Sequence, residues 1–156
     1  MNGKAIAGGC LCGAIRYEAE GEPDFSGLCY CADCRKASGS GFIPFMVYPA
    51  SRLRFRGAPV QFRSIALRGG EAVRNFCPQC GGLVFGGEVG TDDSHTLYAG
   101  SLDDPSLFRP TLAIFVRDRP EWSGSRPKAL ASVATAFAIN LVLRWSFYMI
   151  HEKGLD

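Results

Sequence analysis

The chain has 156 residues, with 17 lysines and arginines against 15 aspartates and glutamates and a hydrophobic fraction of 47%. A chain of this length forms one domain with its own core, and the scattered charges, with a net value of +2, include no basic stretch that would bind nucleic acid. Its 19 glycines and nine prolines favour short strands joined by turns over a helical bundle.

Predicted strands follow one another along most of the chain. The first is the alternating segment 14–19, and we expect Gly8, Gly9 and Gly13 to turn the chain around the first cysteine pair. Residues 28–31 end a second strand, and 32–37 form a short helical turn. Further strands are predicted over 42–48, 53–55, 60–62, 72–76, 96–99 and 112–116. The expected fold class is mostly β, with packed antiparallel sheets.

The C-terminal segment has a different composition. Residues 129–150 are almost continuously apolar and contain no Gly or Pro, which predicts a C-terminal helix of about six turns. Small or polar residues recur on one face of this helix, at Ser132, Ala136, Asn140 and Arg144. This pattern favours a packed helix, a self-association surface or membrane contact through 129–150 over a membrane span. We therefore expect a β domain over 1–123 and an atypical apolar helical tail over 124–156.

Seven cysteines carry the strongest functional signal in the chain. The N-terminus lacks the apolar run of a secretory signal, so a cytoplasmic location with reduced thiols is expected. The cysteines are also clustered at Cys-x-Cys and Cys-x-x-Cys spacing, where neighbouring thiols converge on a metal more readily than they form a disulfide. Metal binding is the favoured interpretation.

Two of the cysteine pairs lie far apart in the sequence. Cys10 and Cys12 form one pair, and Cys77 and Cys80 form the other in the manner of a zinc knuckle followed by two glycines. Two such bidentate arms hold one tetrahedral zinc ion that ties the start of a domain to its middle. The pattern predicts a closed, structural site.

The remaining cysteines, Cys29, Cys31 and Cys34, form a local triplet. Three thiolates leave the fourth position of a zinc ion open, which is the catalytic pattern. Zinc in such a site polarises a carbonyl oxygen or holds an incoming thiol as a thiolate near neutral pH. Chemistry on thiols and aldehydes fits this arrangement.

The spacing leaves two alternatives for these ligands. The triplet becomes a second structural site if His95, His151 or Asp33 supplies a fourth ligand. Alternatively, Cys10 and Cys12 share one ion with Cys29 and Cys31, and the knuckle cysteines then bind the second ion together with Cys34.

The motifs together resemble the glutathione-dependent formaldehyde-activating enzyme family. The similarity extends from about residue 8 to Trp122 and is carried by the segments 8–17, 29–40, 76–81 and 100–105. It implies a Mss4-like fold with two zinc ions, one structural on Cys10, Cys12, Cys77 and Cys80 and one catalytic on Cys29, Cys31 and Cys34. It also implies a carbon–sulfur lyase that joins formaldehyde reversibly to glutathione, giving S-(hydroxymethyl)glutathione.

On this resemblance the partners are a small-molecule thiol, with glutathione as the possible cosubstrate, and an aldehyde. Four residues next to the triplet are candidate contacts for a cosubstrate carboxylate, or form a solvated helix face: Arg35, Lys36, Ser38 and Ser40. A non-catalytic zinc-binding interaction or chaperone module of Mss4-like fold is the alternative function.

Two features depart from the family pattern. The family often has a His in the late strand where this chain has Ala113, so a polar role at that position is absent. The segment after Trp122 also differs from the usual C-terminal end of family members. It is either an added helix or the product of a shifted reading frame.

Overall fold

The computed structural model describes residues 5–66 and 69–124. The helix predicted over 129–150, the tail domain over 124–156 and the candidate ligand His151 fall almost entirely outside these residues, so they stay predictions. Within the described ranges, no helix is both long enough and apolar enough to cross a membrane.

The described residues form ten strands and one short α-helix, which confirms the mostly β fold class. The strands are β1 (Ile6–Gly9), β2 (Arg16–Ala19), β3 (Phe25–Cys29), β4 (Ile43–Pro49), β5 (Leu53–Arg56), β6 (Val60–Ile65), β7 (Glu71–Phe76), β8 (Leu83–Gly86), β9 (Ser94–Tyr98) and β10 (Leu112–Ile114). The helix, α1 (Ala32–Ser38), follows β3 and ends at Gly39, whose φ of 62° is the left-handed conformation that closes a helix.

The strands form two sheets. The smaller sheet has the order β1-β2-β5, and the larger has the order β10-β3-β4-β9-β8-β7-β6. Neighbouring strands run antiparallel, as predicted, except that β10 pairs with β3 in parallel. The parallel pair is possible because a long stretch of chain separates the two strands.

The main core contains residues of both sheets. Tyr17 of the smaller sheet is 1% exposed, and Phe85 and Leu97 of the larger sheet are fully buried in the same cluster. Successive side chains of a strand point to opposite faces, so Thr96 and Tyr98 lie on the other face of the larger sheet. That second face carries a smaller buried cluster, which includes Cys29 and Cys31.

Two strands, β1 and β8, are not predicted by the sequence patterns. The predicted turn at Gly8 and Gly9 is wrong, because both residues belong to β1 and neither has a positive φ. A β-carbon on Gly8 would lie 2.3 Å from the Tyr17 hydroxyl and 2.4 Å from the Ser101 carbonyl oxygen. Gly8 is thus required for close packing, whereas Gly13, with a φ of 80°, makes the turn.

Candidate metal centres and the adjoining cavity

Four cysteines that are far apart in the sequence bring their sulfur atoms together. The Sγ atoms of Cys10, Cys12, Cys77 and Cys80 all lie within 4.8 Å of one another, and we call them the four-cysteine group. Cys10 and Cys77 are buried, Cys80 is half-buried and Cys12 is exposed. The group lies at the edge of the main core, which Cys10 and Cys77 join.

Two similar turns present these sulfurs. The Gly13 amide donates to the Cys10 carbonyl at 3.1 Å, and the Gly81 amide donates to the Cys77 carbonyl at 2.8 Å. Both glycines have positive φ, which a residue with a β-carbon adopts only with strain. Each turn therefore reverses the chain directly after a cysteine and directs two thiols toward the other pair.

The separations within the four-cysteine group fit a tetrahedral zinc ion. The Cys10 and Cys12 sulfurs are 3.6 Å apart, and those of Cys12 and Cys77 are 3.7 Å apart. Four thiolates at the usual Zn–S length of about 2.3 Å stand about 3.8 Å from one another. A disulfide would need about 2.05 Å. The donor set and its spacing both suit zinc.

The electrostatics of the group point the same way. Burial alone would raise the pKa of the Cys10 thiol, but a hydrogen bond from the Ile15 amide and contacts with the neighbouring thiols lower it to about 6. The pKa of Cys12 is raised to about 11, because its backbone contact with Ala14 is outweighed by burial and by the other three sulfurs. Ionising all four thiols thus requires a nearby cation.

A second group forms within six consecutive residues. The Sγ atoms of Cys29, Cys31 and Cys34 lie within 4.8 Å of one another, with 3.6 Å between Cys29 and Cys31, and we call them the three-cysteine group. Cys29 ends β3, Cys31 precedes α1, and Cys34 lies in the first turn of that helix. The strand-to-helix junction makes the cluster, since the Cys34 amide donates to the Cys31 sulfur at 3.4 Å.

This group also fits zinc. Its sulfur spacing matches that of two thiolates on one tetrahedral ion. The pKa of the Cys34 thiol is raised well above its ordinary value, first by the Cys29 sulfur and then by burial. Three thiols in this position become thiolates together only when a positive charge compensates them.

Among the described residues, no His, Asp or Glu side chain joins the three sulfurs. His95 belongs to β9 and lies against the rings of Phe55 and Phe85, on the core face of the sheet. Asp33 is in α1 but outside the group. The alternative in which Cys10 and Cys12 share an ion with Cys29 and Cys31 is wrong, because these two pairs belong to different groups.

A cavity of about 750 Å³ adjoins the three-cysteine group. Cys29 and Cys34 form part of its wall, and Ile43, Phe45 and Val47 of β4 form an apolar floor. These three alternate along β4, so they share the second face of the larger sheet. The cavity therefore offers a ligand both sulfur-rich and apolar surface.

The predicted cosubstrate contacts lie on or just beyond α1 rather than in the described cavity wall. Arg35 donates from Nε to the Tyr30 carbonyl at 3.2 Å, and Ser38 donates to the Cys34 carbonyl at 2.9 Å. The Ser40 amide donates to the Ser38 hydroxyl, and Lys36 is exposed. Arg35 and Ser38 thus support the loop that holds the three-cysteine group, and the substrate role of all four stays a prediction.

Sequence reasoning missed two polar residues in the cavity wall, Arg74 of β7 and Tyr98 of β9. Tyr98 also packs against the cluster that contains Cys29 and Cys31. The alternation of Thr96, Leu97 and Tyr98 was visible in the sequence, and it places Tyr98 on the face opposite to Leu97. The alternation does not show which strands pair with β9, so it could not predict that Tyr98 lies near Cys29.

Comparison with known proteins gives two findings. A family model described as "Glutathione-dependent formaldehyde-activating enzyme" matches residues 5–118. The crystal structure of a Rhodobacter sphaeroides protein matches with a TM-score of 0.47 and 23% sequence identity, over 62% of this chain and 87% of that chain.

Proposed function

The chain belongs to the glutathione-dependent formaldehyde-activating enzyme family, and on that premise we propose that it is a zinc-dependent carbon–sulfur lyase. It joins formaldehyde, or a related aldehyde, reversibly to the thiol of glutathione or of another thiol. The observation that carries this proposal is the position of Cys29 and Cys34, whose sulfurs belong to a three-thiol cluster and also to a cavity wall.

The proposed reaction involves no oxidation or reduction. A carbon–sulfur bond forms between the thiol sulfur and the aldehyde carbon, and the carbonyl π bond breaks. The thiol proton ends on the former carbonyl oxygen, so the product is an S-hydroxymethyl thioether. The reverse reaction returns the proton to sulfur and releases the aldehyde. Nothing beyond the two substrates is consumed.

The two cysteine groups support a division of labour. The four-cysteine group has four protein ligands for one ion, which leaves no ligand position for a substrate. The three-cysteine group supplies three ligands from the described residues. A zinc ion held there supplies positive charge that stabilises a thiolate or polarises a carbonyl oxygen.

Two buried side chains lie next to cysteines of the three-cysteine group in the sequence or in the sheet. Tyr30 is 6% exposed and lies under the guanidinium of Arg119, with 5.7 Å between the Arg119 Cζ and the ring centre. Ile43 is 2% exposed beside Cys29. The aldehyde approaches through the cavity, whose wall includes Cys29 and Cys34. Exclusion of water favours thiol addition over hydration of the aldehyde.

The proposal is tested on purified, zinc-loaded protein. Exchange spectroscopy of glutathione and formaldehyde measures the rate at which the adduct forms and dissociates, with and without protein. We expect faster exchange with the wild-type protein and none beyond the background with Cys34→Ser. Tyr48→Phe is the control, because Tyr48 lies on the core face of β4, away from the cavity, and its hydroxyl donates to the Gly21 carbonyl at 3.4 Å.

Equal exchange rates with and without the wild-type protein would remove the lyase proposal. If that protein still held two zinc ions per chain, the alternative of a non-catalytic zinc module would gain support. The readouts are therefore metal content and exchange rate, measured on the same sample.

A further inference from the structure

The described wall of the cavity contains a single arginine, Arg74 of β7. Arg74 is half-buried, and its Nη1 donates to the Ser64 hydroxyl at 3.1 Å. No ion pair involves Arg74 among the described residues. A partly desolvated guanidinium with only a hydroxyl partner has several unused N–H donors suited to a carboxylate.

Four carboxylates line the same wall, those of Glu71, Glu88, Asp92 and Asp93, and none of them forms an ion pair with Arg74 among the described residues. Glu71 and Glu88 both pair with Arg63, at 2.7 and 2.5 Å. Asp92 accepts a hydrogen bond from the Glu88 amide at 2.7 Å. Three of the wall's carboxylates therefore have partners other than Arg74.

Strand register sets the separation between Arg74 and the three-cysteine group. Arg74 lies opposite Gly86, Gly86 lies opposite Thr96, and Thr96 lies opposite Val47. Cys29 lies opposite Ile43, four residues before Val47 on the same strand. At about 3.3 Å per residue, the two levels are roughly 13 Å apart along the strands, and the four strand spacings from β3 to β7, at about 4.8 Å each, add roughly 19 Å across the sheet. The α-carbons of Cys29 and Arg74 are therefore about 23 Å apart.

Tyr98 lies between these levels. It pairs with Phe45, midway between Ile43 and Val47. Its ring packs against the cluster that contains Cys29 and Cys31, and its hydroxyl reaches Gly86 of β8, which lies opposite Arg74.

We propose that Arg74 binds a carboxylate of the thiol cosubstrate while the sulfur of that cosubstrate lies at the three-cysteine group. This inference rests on the proposed function and names its substrate class. The side chains of Arg74 and of the cysteines both extend into this span of about 23 Å, and the distance that remains between them suits a peptide-sized thiol such as glutathione. A short mercapto acid spans too little of that distance to use both ends.

The first test measures binding without turnover. Calorimetry on zinc-loaded protein compares S-methylglutathione with its diethyl ester, which lacks both carboxylates. We expect the wild-type protein to prefer the free acid by roughly 10- to 100-fold, the usual effect of a charged hydrogen bond. Arg74→Gln should lose this preference, and Arg74→Lys should keep part of it, because lysine retains the charge without the fork of donors.

The control is Arg54→Gln. Arg54 pairs with Glu20 at 3.0 Å on the exposed surface of the smaller sheet, away from the described cavity wall. Arg54→Gln removes the same charge as Arg74→Gln, so this variant should prefer the free acid over the ester as strongly as the wild-type protein does. Thermal unfolding of each variant shows whether it is folded.

The second test measures exchange rates with formaldehyde, using glutathione and its diethyl ester. If the wild-type protein accelerates exchange but Arg74→Gln shows the same preference as the wild type, the Arg74 inference is overturned and the lyase proposal stands. If no protein accelerates exchange but the free-acid preference in binding depends on Arg74, the lyase proposal fails and the carboxylate site is retained.

Discussion

The hydroxyl oxygen of Tyr98 lies 3.0 Å from the point where residue 86 would carry a β-carbon. Gly86 has no β-carbon, so that point is empty and the Tyr98 ring extends across β8 toward Arg74. A larger residue at position 86 must push the tyrosine out of place. The shape of the cavity thus depends on one glycine whose backbone conformation is otherwise ordinary.

Gly86→Val should therefore change ligand binding more than stability. We expect the affinity for S-methylglutathione to fall roughly 10-fold, with a loss of about 1 kcal/mol in the free energy of unfolding. Gly100→Val is the control, because a β-carbon at Gly100 meets no atom within 4 Å. Unchanged affinity in Gly86→Val would show that the Tyr98 ring does not border the ligand.

The two cysteine groups should respond differently to serine substitution. Cys77→Ser removes a fully buried member of the four-cysteine group, and we expect a loss of several kcal/mol in the free energy of unfolding, because a zinc ion held there would join distant parts of the chain. Cys34→Ser should leave most stability in place and reduce the zinc content from two ions to one.

Mass spectrometry under native conditions and chemical unfolding measure the two effects. A Cys34→Ser protein that unfolds as readily as Cys77→Ser would contradict the division into structural and catalytic sites.

Gly8→Ala should destabilise the protein without touching either cysteine group. The new methyl group would meet the Tyr17 hydroxyl at 2.3 Å and the Ser101 carbonyl at 2.4 Å, and the carbonyl belongs to the backbone, which yields little. The cost should be about 1–3 kcal/mol. Thermal unfolding against Gly100→Ala measures it, and equal midpoints would refute the packing argument.

His95 should make stability depend on pH. Burial lowers its pKa below the ordinary value of 6.5, although Asp92 and the Gly86 carbonyl act in the opposite direction. Below about pH 6.5 the unfolded chain binds a proton that the folded protein resists, so the free energy of unfolding falls as the pH drops from about 6.5 toward the lower, folded pKa.

The matched variant is His95→Leu. The buried Nδ1 of His95 has no hydrogen-bond partner among the described residues, so an apolar replacement removes a desolvated polar atom. We expect the free energy of unfolding of the wild-type protein to fall more steeply than that of His95→Leu as the pH drops below about 6.5. Chemical unfolding at a series of pH values measures this, and parallel profiles would contradict the prediction.

The cysteine clusters could be read from the sequence because their ligands have short, recognisable spacing. Cys29 to Cys34 need only a strand-to-turn junction, and the segment Cys77 to Cys80 is followed directly by two glycines, as in a zinc knuckle. The predicted helical turn over 32–37 corresponds to α1 for the same reason, since it depends on local residues.

The cavity could not be read in this way, because strand pairing creates it. Arg74 and Tyr98 share a wall only because β7, β8 and β9 are neighbours in one sheet. No local spacing encodes that order. The predicted turn at Gly8 and Gly9 is wrong for a related reason. Gly8 is needed for close packing against Tyr17, and the sequence does not distinguish such a glycine from one in a turn.

The two cysteine groups also differ in when they can form during synthesis. The three-cysteine group is complete once residue 34 has left the ribosome, whereas the four-cysteine group must wait for Cys80. At about 5–20 residues per second, those further 46 or so residues take roughly 2–9 s. A nascent chain therefore presents three neighbouring thiols to cellular metals and oxidants before the rest of the domain can enclose them.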